Sequence, residues 1–528
     1  MELHRNLKGL SVVLNLILTL HVSSQNLPIN WGPLEMKRGT LIDISPIRSA
    51  DFYALRYSGS LLGSYRLNTY NQLAFVSQQR IKPVTESGLA TVETSAFFAE
   101  KFQVFLSDRM GTTMTLYSQS ILDGEENMPS EIRCSYEDKR MGARPNFELL
   151  QSQNQQFLAI TYEIPGRRTN RDIHGYVLFD STFTEIGRGE YLLPFDGNMS
   201  TINQNHITNR GEYLIAVTEH KNPNDRFFGR SWENFKAFHI YKIKKDSLQE
   251  FNLELSDKRI DDLTMSSNNT GLVSITGLYG RGNNNGIEGV FSVNMDTNKD
   301  SIISYKYSPF DRSIFQNSRS EIQLTNFIRR NNNRGENPQV FSYKLRQIQT
   351  LEDNSQVGYL EQYFERQFTN YDSRTGVTTV NNYYYYLDII VFKLSPDGTY
   401  LWGSKIPKNQ ITMNDNGPFS SFVGFNNQRN AYVLFNDNKR NYNDDGTFSR
   451  NSDNSGIYGL NLSAWRNVVA LVTIDLATGN LERNTMFSRK ELSAIAVPKT
   501  MKVDWKNQEV LMYAVNRNRE KFGLISFK

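Results

Sequence analysis

The sequence lacks the residues that would staple it or arm it for familiar chemistry. Cys134 is the one cysteine in 528 residues, so no internal disulfide forms and the chain relies on its own core. It lies in Glu131-Ile132-Arg133-Cys134-Ser135-Tyr136, which reads as a strand with an inert, buried thiol. Histidine is scarce, at six residues, and His174, His206, His220 and His239 share no zinc-motif spacing. There is no Gly-x-Ser-x-Gly elbow and no glycine-rich phosphate loop. Beyond the N-terminus no apolar run approaches the roughly 18 residues of a membrane-spanning helix. Charge of one sign is lacking too: 59 basic against 55 acidic residues give a net +4, too weak a field to imply nucleic acid. The short cluster Arg329, Arg330 and Arg334 reads as a solvated loop.

The first residues have the form of a secretory leader. Arg5 and Lys8 precede an apolar stretch from Leu10 to Leu20, and Val22-Ser23-Ser24 places small residues before Gln25. This predicts a signal peptide over residues 1–24, one domain over 25–528 and an exported protein. No cysteine near the cleavage point offers a lipid attachment site. Asn198, Asn268 and Asn461 begin glycosylation-type triplets, expected by chance in so Asn-rich a chain.

The rest of the chain repeats a simple pattern: an alternating apolar run, a polar loop, a second run, then a turn. Phe157–Tyr162 is followed by Gly175–Phe179, Tyr213–Val217 by Phe238–Ile243, and Leu272–Thr276 by Gly289–Val293. Each pair reads as adjacent antiparallel strands. Copies of the second strand fall near residues 62, 113, 175, 238, 289, 388, 468 and 522. Most intervals are about 50–65 residues, a repeat of propeller size. Turn signals Ser395-Pro396-Asp397-Gly398 and Leu476-Ala477-Thr478-Gly479 close two of the units. The expectation is an all-β protein, a β-propeller of four-stranded antiparallel blades, eight or seven in number. Separate small β domains and an outer-membrane barrel are the alternatives. Met501–Lys528 has room for three strands only, so Leu27–Leu34 is expected to complete the last unit.

Candidate chemistry is sparse. Asp180, Glu219, Asp262 and Glu361 lie near expected strand ends, and a glycosidase needs two carboxyls facing each other with distinct protonation states. Asp437, Asn443, Asp444 and Asp445 gather oxygen ligands, as do Asp296, Asn298 and Asp300, although neither segment fits the twelve-residue calcium loop. The 437–445 segment is the candidate calcium site. Tyr383, Tyr384, Tyr385 and Tyr386 form a candidate aromatic platform for sugar or peptide, with alternation turning two of the four inward.

Trp31-Gly32, the segment Leu387–Leu394 with Asp397-Gly398 and Trp402, and the terminal Gly523-Leu524-Ile525-Ser526 resemble uncharacterised secreted, β-propeller-like proteins of the Bacteroidota. The resemblance covers much of the chain, its motifs are structural, and it carries over no functional residue. It implies a periplasmic, cell-surface or extracellular location. The function expected is an exported binding or scaffold protein without a catalytic role, its partner an envelope protein or glycan. The alternative is an extracellular glycan hydrolase using paired carboxylates.

Overall fold

Strands dominate because the apolar runs are rich in β-branched and aromatic residues, which suit a pleated, half-buried surface. The structure, a computed structural model, describes residues 27–528 apart from 60–63, 86–87, 122–129, 141, 167–170, 197–198, 224–232, 246, 252, 254–256, 282–285, 312–313, 315–338, 450–455 and 506. The leader, the 329–334 basic cluster and Asn198 lie outside the described residues.

Eight antiparallel sheets of four or more strands follow one another among the described residues. The first begins at Thr40–Arg48, the second at Thr91–Phe98, the third at Phe147–Gln151 and the fourth at Ser200–Ile207. The fifth begins at Lys258–Ser267, the sixth at Tyr343–Thr350, the seventh at Val423–Asn426 and the eighth at Ile495–Ala496. Each ruler position read from the sequence falls in or beside the third strand of its sheet, for example Thr113–Ile121, Ile287–Asp296 and Asn467–Asp475. These strands read as continuous apolar runs because both their faces are covered: Ile287–Asp296 is buried along almost its whole length. The fourth strand of that sheet, Ser301–Pro309, instead alternates between exposed and half-buried residues.

The expected β-propeller is corrected by the strand pairing. Among the described residues every sheet is an open path of strands with two edges, and none is closed or curled upon itself into a barrel or propeller. The four-strand rule also fails twice, since the sixth sheet has five strands and the eighth has six. Alternation and turn signals specify which strands pair locally; they do not specify closure. The N-terminal segment does join the last sheet, with Ile29 opposite Ile525, Asn30 opposite Leu524 and Trp31 opposite Gly523. Gly523 is required there, because a Cβ would lie 2.5 Å from the Trp31 ring.

Cohesion comes from apolar clusters between consecutive sheets. Leu116 and Ile160 share a cluster across the second and third sheets, and Val391 and Val433 share one across the sixth and seventh. Phe52 of the first sheet packs with Tyr513 and Phe522 of the eighth. No helix among the described residues is long and apolar enough to cross a membrane.

Five first strands carry one-residue bulges, the first of them two. The residues left out of register are Ile42 and Ile47 in the first sheet, then Glu93, Asn203, Asp261 and Arg346. A bulge re-aims a side chain without breaking the sheet. At Arg346 this places a guanidinium beside a cavity shared with the seventh and eighth sheets.

Candidate functional site

Three consecutive sheets meet at a cavity of about 450 Å³. Arg346 and Gln347 come from the first strand of the sixth sheet, and Tyr363 and Tyr386 from its long second and third strands, Gln356–Asp372 and Val377–Leu394. Asn416, Ser421 and Phe422 precede or enter the seventh sheet, while Lys499 and Met501 follow the first strand of the eighth. Pro498 opens the short 3-10 turn that presents Lys499.

Beneath the cavity lies a buried ionic assembly. The Glu361 carboxylate accepts from Lys408 Nζ at 2.8 Å, Arg346 Nε at 2.9 Å and Ser421 Oγ at 2.9 Å. Lys408 spends its other protons on the Tyr386 carbonyl and Gln410 Oε1, both at 3.0 Å. Burial lowers the Lys408 pKa. Burial alone would raise that of Glu361, but the Lys408 and Arg346 charges overcome it and hold the carboxyl below its ordinary range. This carboxylate is thus fixed in its ionised form and surrounded by donors.

The wall above it is aromatic and cationic. The Tyr363 and Tyr386 rings are tilted with centroids 4.8 Å apart, and the Arg346 guanidinium lies 5.1 Å from the Tyr363 ring centre. Lys499 Nζ donates to the Tyr386 hydroxyl and the Asn416 carbonyl, each at 2.6 Å, and sits 4.3 Å from the Tyr386 ring centre. Partial burial lowers its pKa. Arg346 and Lys499 line the cavity, and no carboxylate is among its described lining residues; Lys408 and Glu361 lie beneath it. Glu365 is engaged by the Tyr363 hydroxyl and Asp415 by the Gly417 N–H; neither lines the cavity.

Other residues singled out in the sequence are scattered. Asp180 binds the Thr182 and Thr184 amides in an exposed turn. Glu219 pairs with Lys236 and His239, and Asp262 accepts the Leu345 and Leu263 amides. The four candidate carboxylates stand at four different sheets, and Glu361 alone lies beneath the cavity, bound by Arg346 and Ser421 of its lining. Asp437 is buried against Arg483 and accepts from the Tyr442 hydroxyl at 2.6 Å. Asn443 and Asp445 instead meet at exposed Thr447, and Asp444 is also exposed. Asp296 caps the Asn298 amide, while Asp300 pairs with Lys242 and Lys244. Among the described residues no group of three or more His, Cys, Asp or Glu is placed to hold a metal ion. Cys134 is buried, which pushes its thiol up to about 12.

The tyrosine run divides by alternation. Tyr386 lines the cavity, whereas Tyr385 stacks on Phe364 at 4.5 Å and Tyr383 meets Phe368 edge-on at 5.4 Å on the other face. Tyr384 pairs across the strands with Glu365. Arg346, Lys408 and Lys499 carried no sequence signal: each is a lone cation in an ordinary polar context.

Two of the histidines give a pH prediction. Burial pushes His174 and His206 down to about 4. The unfolded chain takes up these protons near pH 6.5 and the folded one near 4, so stability is lost as pH falls between those values. The loss should reach roughly 3 kcal/mol per histidine below pH 4. Urea unfolding at pH 7 and pH 4.5 checks it, and His206→Gln should flatten the difference.

No protein-family profile matches the sequence, and no curated protein does. Solved structures give weak, taxonomically mixed likenesses. The WD40 domain of SCAP from fission yeast has 9% identity and a TM-score of 0.38, with 96% of each chain covered. Prolyl oligopeptidase B from Galerina marginata has 10% identity and a TM-score of 0.36; 86% of this chain is covered, and it spans 56% of the peptidase. A protein of unknown function from Bacteroides caccae has 11% identity and a TM-score of 0.25, covering 67% of this chain and 93% of that one. Likenesses of this size carry no argument about fold or function.

Proposed function

We propose that this chain is an exported binding protein whose cavity between the sixth, seventh and eighth sheets takes a small anionic ligand. The observation that carries the reading is the pairing of Arg346 and Lys499 in one tyrosine-walled cavity. Arg346 spends Nε and Nη2 on Glu361, and Lys499 has two acceptors for three protons. Donor capacity is left over on both, and their exposed positions make it reachable by a ligand through charge-assisted hydrogen bonds. The volume lies in the range of small-molecule sites. Binding is favoured over acid catalysis because a general acid needs a raised pKa, whereas Glu361 is held low.

Small carboxylic acids should raise the melting temperature of the full chain, while their neutral amides should not. Lys499→Gln removes one charge-assisted contact of about 1.5–3 kcal/mol. Affinity should therefore fall about tenfold or more. Titration calorimetry of the wild type and this variant reads the effect, and equal affinity in both would overturn the reading.

A further inference from the structure

The cavity has features that a bare anion would not use. We propose that its ligand is a sugar acid, a pyranose ring bearing one carboxylate; this rests on the anion-binding reading above. Three observations point there.

The first is the count of remaining donors. Arg346 Nη1 has no hydrogen-bond partner among the described residues, and Lys499 has one proton unspent. Two such donor groups suit the two oxygens of a carboxylate better than the three of a phosphate dianion. The second is the Gln347 amide, which lines the cavity and has no hydrogen-bond partner among the described residues. An amide supplies both donor and acceptor, the pair that a hydroxyl-bearing ligand satisfies and a simple aromatic acid does not. The Asn416 amide lines the same space, with its Oδ1 3.2 Å from the Tyr386 hydroxyl. The third is the aromatic surface. Tyr363 and Tyr386 are tilted at 43° to each other, and Phe422 joins them in the lining. Such faces offer a broad apolar area to the C–H side of a sugar ring, while the amides meet its hydroxyl edge.

Titration calorimetry on the full chain tests the inference with D-galacturonate, D-glucuronate, their neutral counterparts D-galactose and D-glucose, and benzoate. At least one uronate should bind tenfold or more tightly than its neutral hexose and than benzoate. Lys499→Gln should remove the preference over the hexose. Gln347→Leu should weaken the uronate at least threefold and leave benzoate unchanged, with thermal unfolding of both variants matching the wild type. Benzoate binding as tightly as either uronate would overturn the sugar assignment and leave the anion reading standing. Hexoses binding as tightly as the uronates would overturn both, as would an absence of binding by every probe.

Discussion

Replacing Glu520 with alanine is expected to destabilise the fold by about 3–5 kcal/mol, the usual cost of stranding one partner of a buried ion pair. Arg56, in the second strand of the first sheet, is fully buried and points across to Glu520 in the eighth. Its Nη1 and Nη2 reach the two carboxylate oxygens at 2.9 and 2.8 Å, a fork-to-fork geometry. The Tyr513 hydroxyl donates to the same carboxylate at 3.0 Å, and the Arg56 Nη2 donates to the Tyr70 hydroxyl at 3.1 Å. Removing the carboxylate leaves a buried guanidinium without a counter-charge beside the Tyr70 and Tyr513 hydroxyls. The double variant Arg56→Met/Glu520→Leu should cost clearly less than Glu520→Ala alone, because no buried charge then remains. Urea unfolding of the three proteins checks both statements. A loss below about 1 kcal/mol in Glu520→Ala would show that water or another group replaces the carboxylate.

The second large effect is expected at Asp437. Arg483 is buried beneath the 439–449 excursion, with its guanidinium 4.1 Å from the Phe448 ring centre and 5.1 Å from that of Phe435. It donates to Asp437, to the Tyr442 hydroxyl at 2.8 Å and to the Pro407 carbonyl at 2.7 Å, so it ties the seventh sheet to the end of the sixth. Asp437 also accepts from the Asn441 amide at 2.9 Å. Asp437→Ala strands Arg483 and frees both partners, and about 3–5 kcal/mol should be lost. Asp437→Asn keeps the shape and one acceptor and should lose less. Hydrogen exchange should locate the effect, with protection falling across Asn430–Asn438 and Leu481–Ser488. Unchanged protection there would contradict the role given to this pair.

The repeat was legible because its physical cause is local. Strands covered on both faces must be apolar throughout, and Asn467–Asp475 and Leu387–Leu394 announce themselves on that ground alone. The turns were legible for the same reason: Gly398 and Gly479 take φ of +85° and +74°, as the sequence signals required. Closure into a propeller was not written in these features, and the expectation failed there. The long-range pairs were equally hidden. Arg56 and Glu520 are 464 residues apart, and Lys499 and Tyr386 are 113 apart. Glu361 and Tyr386 were singled out for other reasons, one as a candidate acid and the other within an aromatic run. What joins them is Lys408, which donates to both, with Arg346 on its bulge and Lys499 on its turn beside them, and none of these placements follows from residue type. Asp437 shows the converse error: oxygen-bearing neighbours in sequence can face opposite ways, one into an ion pair and the others into solvent.

The central claim is that the cavity walled by Tyr363 and Tyr386 is an anion site. A crystal structure of the full chain with D-galacturonate tests it most directly. The account predicts density for the acid inside this cavity, its carboxylate within hydrogen-bond distance of Arg346 Nη1 and Lys499 Nζ. Density for the acid elsewhere, with this cavity holding solvent alone, would contradict it.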